Sequence, residues 1–300
     1  MLKALSVFAA VFLTMSGVVT AQAQTKGLVP GSGTFELTEA GAAGQAMTVW
    51  YYRPAGLRPD DPVLFVMHGV LRNADVYRDA WVQLAQTYRF LLLTPEFSRE
   101  LFPTTESYNM GNMVAKGGAP IPREQWSFTL VDRIFAEAKA RTGSRRERYS
   151  IFGHSAGAQF VHRLATFVDD ARIDRTVTAN AGWYTLPVRS ETFPYGLQGT
   201  ELSEADLKKN FGKDLIVLLG EADNDPKHEN LRRNEAADRQ GTNRFERGQN
   251  YFTVSQAEAA RLGAEFKWRL ETVAGVGHNN AEMAGAAAKL LFGKPAGAQN

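Results

Sequence analysis

The chain has 300 residues, of which 44% are hydrophobic and 22% are charged, and its 34 Lys and Arg nearly balance its 32 Asp and Glu. This apolar fraction excludes an intrinsically disordered protein, and the balance of charge argues against a polybasic nucleic-acid binder. The absence of cysteine excludes disulfides, cysteine-ligated metal sites and a cysteine nucleophile.

The N-terminal segment differs from the rest of the chain. One Lys precedes an apolar run over residues 4–19, and Ala21 and Ala23 then supply the small residues of a signal-peptidase site. We predict that residues 1–23 are a signal peptide and that the mature protein is periplasmic or secreted, without stable membrane insertion. The alternative is an uncleaved membrane anchor, but the run is shorter than the roughly 20 residues that span a bilayer.

Residues 24–300 alternate short β-branched or aromatic runs with helical patterns, which predicts βαβ units in a single domain. Several strands are continuous apolar runs, typical of strands buried on both faces of a parallel sheet. The predicted strands cover residues 35–38, 47–53, 63–67, 90–94, 149–153, 176–180, 214–219 and 266–273. The predicted helices cover residues 75–88, 124–141, 156–167 and 281–291.

Three long connections interrupt this alternation, at residues 95–123, 186–213 and 224–250. Loops of this length are usually functional. The first is rich in Gly and Met and is a candidate substrate-facing loop. The third is dense in both acids and bases, which indicates a solvated surface segment with many salt bridges.

The strongest chemical motif is GHSAG, residues 153–157, which has the form GxSxG. It lies between a predicted strand and a predicted helix, the context in which the serine sits on a strained turn with its hydroxyl exposed. This context favours Ser155 as a nucleophile over a glycine-rich turn with an incidental serine.

A serine hydroxyl needs a base to remove its proton, and the chain has five histidines. We predict that His278 is the base, because it follows the last predicted strand in a Gly-flanked loop, whereas His228 lies in the charged connection. The orienting acid should follow a strand between the serine and the histidine. Asp223 and Asp225 both fit, and Asp223 is preferred.

An oxyanion hole requires two N–H donors. We predict the N–H of Ala156, directly after the serine, and the N–H of Val70, in the turn after the third strand. His68 in that turn is predicted to be structural. Trp183 and Tyr184 follow the sixth strand and are predicted to wall the substrate pocket, with ordinary packing as the alternative.

The set Ser155, Asp223 and His278, in this chain order, resembles the α/β-hydrolase superfamily over nearly all of the mature chain. The resemblance implies an α/β fold with a mostly parallel eight-stranded sheet and helices on both faces. The serine motif, the turn around His68 and residues 220–223 resemble secreted esterases of the polyhydroxybutyrate depolymerase and feruloyl esterase type. The chain departs from those esterases in lacking cysteine pairs and a separate polymer-binding domain.

The resemblance implies an exported serine hydrolase that cleaves a small or polymeric carboxylic ester through an acyl-enzyme. A peptidase or amidase of the same fold and a catalytically silent binding protein are the alternatives. The chain has no GxxxxGK[ST] or HExxH motif, so no metal, nucleotide or other cofactor is implied.

Overall fold

The computed structural model describes residues 27–38, 40 and 45–293. The predicted signal peptide and its cleavage site lie outside these residues. None of the helices in the described ranges is long and apolar enough to cross a membrane.

The described residues contain eight strands and seven α-helices, which mostly alternate from the third strand onward. The strands are β1 (Gly31–Leu37), β2 (Met47–Arg53), β3 (Val63–Met67), β4 (Leu91–Pro95), β5 (Tyr149–His154), β6 (Ile173–Ala179), β7 (Leu215–Gly220) and β8 (Arg269–Val273). The helices are α1 (Ala74–Tyr88), α2 (Thr129–Thr142), α3 (Ala156–Phe167), α4 (Glu204–Phe211), α5 (Glu235–Asp238), α6 (Arg244–Leu262) and α7 (Asn280–Phe292).

The strands form one sheet in the order β1-β2-β4-β3-β5-β6-β7-β8. The pairs β1–β2 and β2–β4 are antiparallel, and all other pairs are parallel. The prediction of a mostly parallel eight-stranded sheet is confirmed. Because the strands from β3 onward are parallel, the loops that follow β3, β5, β7 and β8 leave the sheet at one edge.

Apolar side chains alternate between the two faces of the sheet and are covered on both. In β3, Phe65 packs with α2 and α3, whereas Leu64 and Val66 pack with α1 and α7. Trp81 of α1 and Met283 of α7 are fully buried in the second cluster. Helices therefore cover both faces, as predicted, and the sheet is a rigid base for its edge loops.

Several predicted element boundaries are wrong: β1 begins at Gly31 rather than at Phe35, and β6 begins at Ile173 rather than at Thr176. A single helix over residues 124–141 is replaced by a short 3₁₀ turn and by α2, which begins at Thr129. Trp126 between them has extended backbone angles, which break the helix. β8 begins at Arg269 rather than at Phe266, whose ring instead packs against α4.

Two of the predicted loops contain helices. Within residues 186–213, Ser203 and Asp206 form a capping box that starts α4. Within residues 224–250 lie α5 and the start of α6, where the side chain of Asn243 accepts a hydrogen bond from the backbone of the first turn. Helix caps at these polar residues explain why the charged sequence is nevertheless helical.

The charged segment 224–250 is only partly solvated. Leu231 and Ala237 are buried, and so are Arg244 and Arg247, whose side chains are 1% and 0% exposed. The prediction of a solvated surface segment is therefore wrong for these residues. They pack against the sheet edge that carries the predicted site.

Candidate active site

Ser155 occupies a sharp turn between β5 and α3. Its backbone angles are φ 58° and ψ −118°, a region that non-glycine residues rarely adopt. The turn fits only without side chains on either side: a Cβ on Gly153 would lie 2.2 Å from the Gly157 oxygen, and one on Gly157 would lie 2.0 Å from the Met67 oxygen. The motif thus forms the strained strand-to-helix turn that its sequence predicts.

His278 lies in the loop after β8 and is hydrogen-bonded to Asp223, which follows β7. The distance from His278 Nδ1 to Asp223 Oδ2 is 2.7 Å, and Asp223 is buried. Asp225 is exposed, and its carboxylate instead accepts a hydrogen bond from the Lys227 backbone. Of the two acids that the sequence left open, the structure pairs Asp223 with the histidine.

The surroundings of His278 disfavour its charged form. Burial lowers the pKa of His278 below its ordinary value, and the hydrogen bond to Asp223 opposes this shift. Arg244, whose guanidinium reaches the same Asp223 carboxylate, and the nearby His228 lower the pKa further. His278 is consequently neutral at pH 7 and can accept a proton.

Ser155 lines a cavity of about 330 Å³ at this edge of the sheet. Val70, Ala156 and Trp183 line the same cavity, so the structure brings these predicted site residues together. Tyr184 is not among the lining residues. Its ring is fully buried and stacks on Tyr251 at 4.4 Å, so the structure gives it a packing role in place of the predicted pocket role.

Two solved structures are similar to this chain over most of its length. Poly(aspartic acid) hydrolase-1 from Sphingomonas sp. KT-1 is 42% identical, with a TM-score of 0.85, over 88% of this chain and 100% of that one. LpqC, the poly(3-hydroxybutyrate) depolymerase from Bordetella parapertussis, is 38% identical, with a TM-score of 0.83, over 88% and 91%. The chain belongs to the α/β-hydrolase superfamily.

A ferulic acid esterase, 15% identical with a TM-score of 0.52 over 88% of this chain and 97% of its own, shares the fold. No protein-family model matches the chain, and no curated protein matches it. From the identity to the first two enzymes, the chain is a hydrolase of the α/β fold related to both.

In this α/β-hydrolase, His68 is a structural part of the turn that carries Val70. Its Nε2 accepts a hydrogen bond from the Phe97 backbone at 3.0 Å, and its Nδ1 lies 3.1 Å from the Gly69 oxygen. Burial lowers the pKa of His68 to about 3, so the ring is neutral. Tyr108 donates a hydrogen bond to the His68 carbonyl and fixes the turn from the other side.

Three arginines in the wall of the hydrolase cavity were not singled out by the sequence. Arg72 donates to the Phe97 carbonyl, Arg99 to the Val70 carbonyl and Arg232 to the Tyr195 hydroxyl. Within the described ranges, no carboxylate forms an ion pair with any of these three guanidinium groups. With Glu229 as the acidic residue of the same wall, the cavity around Ser155 has an excess of positive charge.

Arg244 is another residue beside the candidate site that the sequence did not reveal. Its guanidinium is buried behind Asp223, with 3.2 Å from Nη1 to Asp223 Oδ1. The available signal was the helical spacing of apolar residues after Asn243, a polar residue suited to capping. The helices predicted from the sequence do not include residues 244–262, and that spacing would not reveal which side chain of α6 faces Asp223.

Proposed function

We propose that this hydrolase is a serine esterase in which Ser155 is the nucleophile, His278 the general base and Asp223 the orienting acid. The hydrogen bond of 2.7 Å between His278 and Asp223 carries this proposal. It leaves the second ring nitrogen of a neutral histidine free to accept a proton. The strained turn at Ser155 supports the proposal independently.

The proposed reaction begins when His278 Nε2 takes the proton of the Ser155 hydroxyl as its oxygen attacks the ester carbonyl. The N–H groups of Ala156 and Val70 stabilise the resulting oxyanion. His278 then donates its proton to the leaving alcohol, and an acyl group remains on Ser155. Water, deprotonated by the same histidine, attacks this acyl-enzyme, and the acid leaves with Ser155 restored.

The test compares Ser155→Ala with Ser144→Ala, a half-buried serine between α2 and β5 whose hydroxyl donates to the Pro59 carbonyl and accepts from the Arg146 N–H. With p-nitrophenyl butyrate as substrate, Ser155→Ala should lower kcat by about 10⁴-fold or more. Ser144→Ala should retain wild-type turnover. Undiminished turnover in a folded Ser155→Ala protein would reject the proposal.

A second candidate is hydrolysis of amide bonds in an anionic polymer. The unpaired arginines of the cavity favour it, because guanidinium groups bind carboxylates well. The relative from Sphingomonas is named a hydrolase of poly(aspartic acid), a polyanion joined by amide bonds. The two candidates share the proposed triad and differ in the leaving group that His278 protonates.

The rates at which the protein hydrolyses poly(aspartic acid) and a poly(3-hydroxybutyrate) emulsion distinguish these two candidates. An esterase should release acid from the polyester and should cleave a p-nitrophenyl ester far faster than the matched p-nitroanilide. Chain scission of poly(aspartic acid) without any action on the polyester would favour the second candidate.

We also propose that the protein is exported, on the strength of the N-terminal sequence alone. Expression of the full chain with its leader should yield a mature protein that begins at Gln24. N-terminal sequencing of the extracellular and periplasmic fractions tests this, and an intact leader on the active protein would contradict it.

A further inference from the structure

The buried side chain of Arg244 connects two groups behind the proposed base. Its Nη1 donates to Asp223 Oδ1 at 3.2 Å, and its Nη2 lies 3.3 Å from His228 Nδ1. The Arg244 and Asp223 side chains are 1% and 3% exposed. The helix start is tied to the same residue, since the N–H of Phe245 donates to the Asp223 carbonyl at 3.2 Å.

Asp223 therefore has both of its carboxylate oxygens occupied by different partners. Oδ2 bonds to His278, and Oδ1 bonds to Arg244. The backbone N–H of Asp223 is also fixed, by a hydrogen bond to Gly220 at 3.0 Å. With the main chain held, rotation of the carboxylate is the remaining freedom, and the guanidinium opposes it.

We propose that Arg244 is a positioning residue that holds the Asp223 carboxylate in the orientation that receives His278. The inference rests on the proposed function, because it assigns Arg244 to the same triad. A buried charge pair of this kind costs desolvation energy and is weak evidence for a stabilising role alone. Its contact with the one carboxylate that bonds His278 points to a role in the reaction.

The positive charge of Arg244 has a second effect on the base. A lone carboxylate would stabilise the protonated imidazole strongly, whereas a carboxylate already paired with a guanidinium does so less. The other groups that face His278 are His154 and His228, and Asp225 adds charge near Arg244. Removal of Arg244 should therefore raise the pKa of His278.

The experiment measures kcat and kcat/KM for p-nitrophenyl butyrate from about pH 4 to pH 9 in three variants. Arg244→Met removes both the hydrogen bond and the charge. It should lower kcat by about 10- to 100-fold. It should also move the acid limb of the pH profile of kcat/KM to higher pH by on the order of one unit. Arg244→Gln keeps a donor without the charge, so it should shift the acid limb with a smaller loss of kcat. Arg244→Lys keeps the charge and should leave the acid limb at its wild-type position.

Arg247→Met is the matched control. Arg247 is also a buried arginine of α6, but its carboxylate partner is Asp238, at 2.9 Å. This variant should lower the midpoint of unfolding without moving the acid limb, because Asp238 does not contact His278.

The inference is overturned if folded Arg244→Met or Arg244→Gln keeps the wild-type acid limb and kcat. It is also overturned if Arg247→Met moves the acid limb as far as the Arg244 variants do. Should Arg244→Met fail to fold, the comparison of Arg244→Gln with Arg244→Lys decides the matter. Turnover in Ser155→Ala would reject the proposed function itself, whereas an inactive Ser155→Ala with wild-type Arg244 variants rejects this inference alone.

Discussion

The imidazole rings of His154 and His278 lie against each other, with centroids 4.5 Å apart and planes inclined by 35°. His154 is the second residue of the GHSAG motif, so the turn that presents Ser155 also supports the neighbouring histidine. Burial lowers the pKa of His154 well below its usual value, and the ring is uncharged at pH 7. Its Nδ1 lies 3.1 Å from the Tyr77 hydroxyl, which fixes the ring from behind.

This contact predicts different effects for two substitutions of His154. His154→Phe keeps a flat ring against His278 and should hold kcat for p-nitrophenyl butyrate within about threefold of wild type. His154→Ala leaves a cavity beside His278 and should lower kcat by about tenfold and stability by about 2–3 kcal/mol. Kinetics and urea unfolding of both variants provide the measurement. Equal kcat values would mean that the ring contact does not position His278.

The buried neutral His68 predicts a loss of stability in acid. Its pKa is about 3 in the native state, whereas a histidine in the unfolded chain has a pKa near 6.5. As pH falls through this window, the unfolded state takes up a proton that the native state does not. The contribution of His68 to the free energy of unfolding therefore decreases by about 1.4 kcal/mol for each unit that the pH falls between those two pKa values.

His68→Gln isolates this contribution, because glutamine offers an acceptor for the Phe97 N–H but does not titrate. The slope of the unfolding free energy between about pH 6 and pH 4 should be shallower than wild type by about 1.4 kcal/mol per unit. Urea unfolding at a series of pH values measures it. Identical slopes in the two proteins would contradict a buried, neutral His68.

The turn at Ser155 predicts a severe effect of a single methyl group at Gly157. The new Cβ would lie 2.0 Å from the Met67 carbonyl oxygen, and Met67 pairs with Gly153 of β5, so its backbone cannot move away without disturbing that pairing. Gly157→Ala should lower the free energy of unfolding by about 3 kcal/mol or prevent folding.

Gly285→Ala is the control for that substitution. In α7 its Cβ meets nothing within 4 Å, and alanine should stabilise the helix by about 0.5–1 kcal/mol. A Gly157→Ala protein as stable as wild type would show that the turn has more room than its geometry indicates.

The unpaired arginines of the cavity predict a preference for anionic substrates. Arg232→Gln should raise KM for a succinate monoester of p-nitrophenol by about fivefold, and it should leave KM for the butyrate ester within twofold. Arg145→Gln, which removes an exposed partner of Asp60 that does not line the cavity, should change neither KM value. Raising the salt concentration to about 0.5 M should reduce the difference in KM for the succinate monoester between wild type and Arg232→Gln. An equal change in KM for both esters would argue against recognition of the carboxylate by Arg232.

The sequence predicts the sheet, and it narrows the partner of His278 to Asp223 or Asp225 with Asp223 preferred, because both depend on chain order. Residues that directly follow parallel strands meet at one edge of the sheet, so position along the chain determines their neighbourhood. The turn at Ser155 can also be predicted, because it is local: its two glycines and its serine lie within five consecutive residues.

The sequence does not predict the burial of Arg244 or the different surroundings of Trp183 and Tyr184, because these depend on contacts with residues distant in the chain. Six arginines and lysines occur between Asp223 and Arg247, and their composition alone favours exposure for all of them. Only tertiary contacts decide that Arg244 is buried on Asp223. The buried ring of Tyr184 stacks on the ring of Tyr251, which lies in α6 as Arg244 does.

One stretch of chain, residues 224–250, both shapes the cavity through Arg232 and holds the proposed acid through Arg244. Substitutions in this stretch that change the substrate preference would therefore also change the turnover rate. Grafting it from a relative with a different substrate would transfer the support of Asp223 along with the new cavity wall. We expect insertions and deletions here to be tolerated only where the path into α6 is preserved.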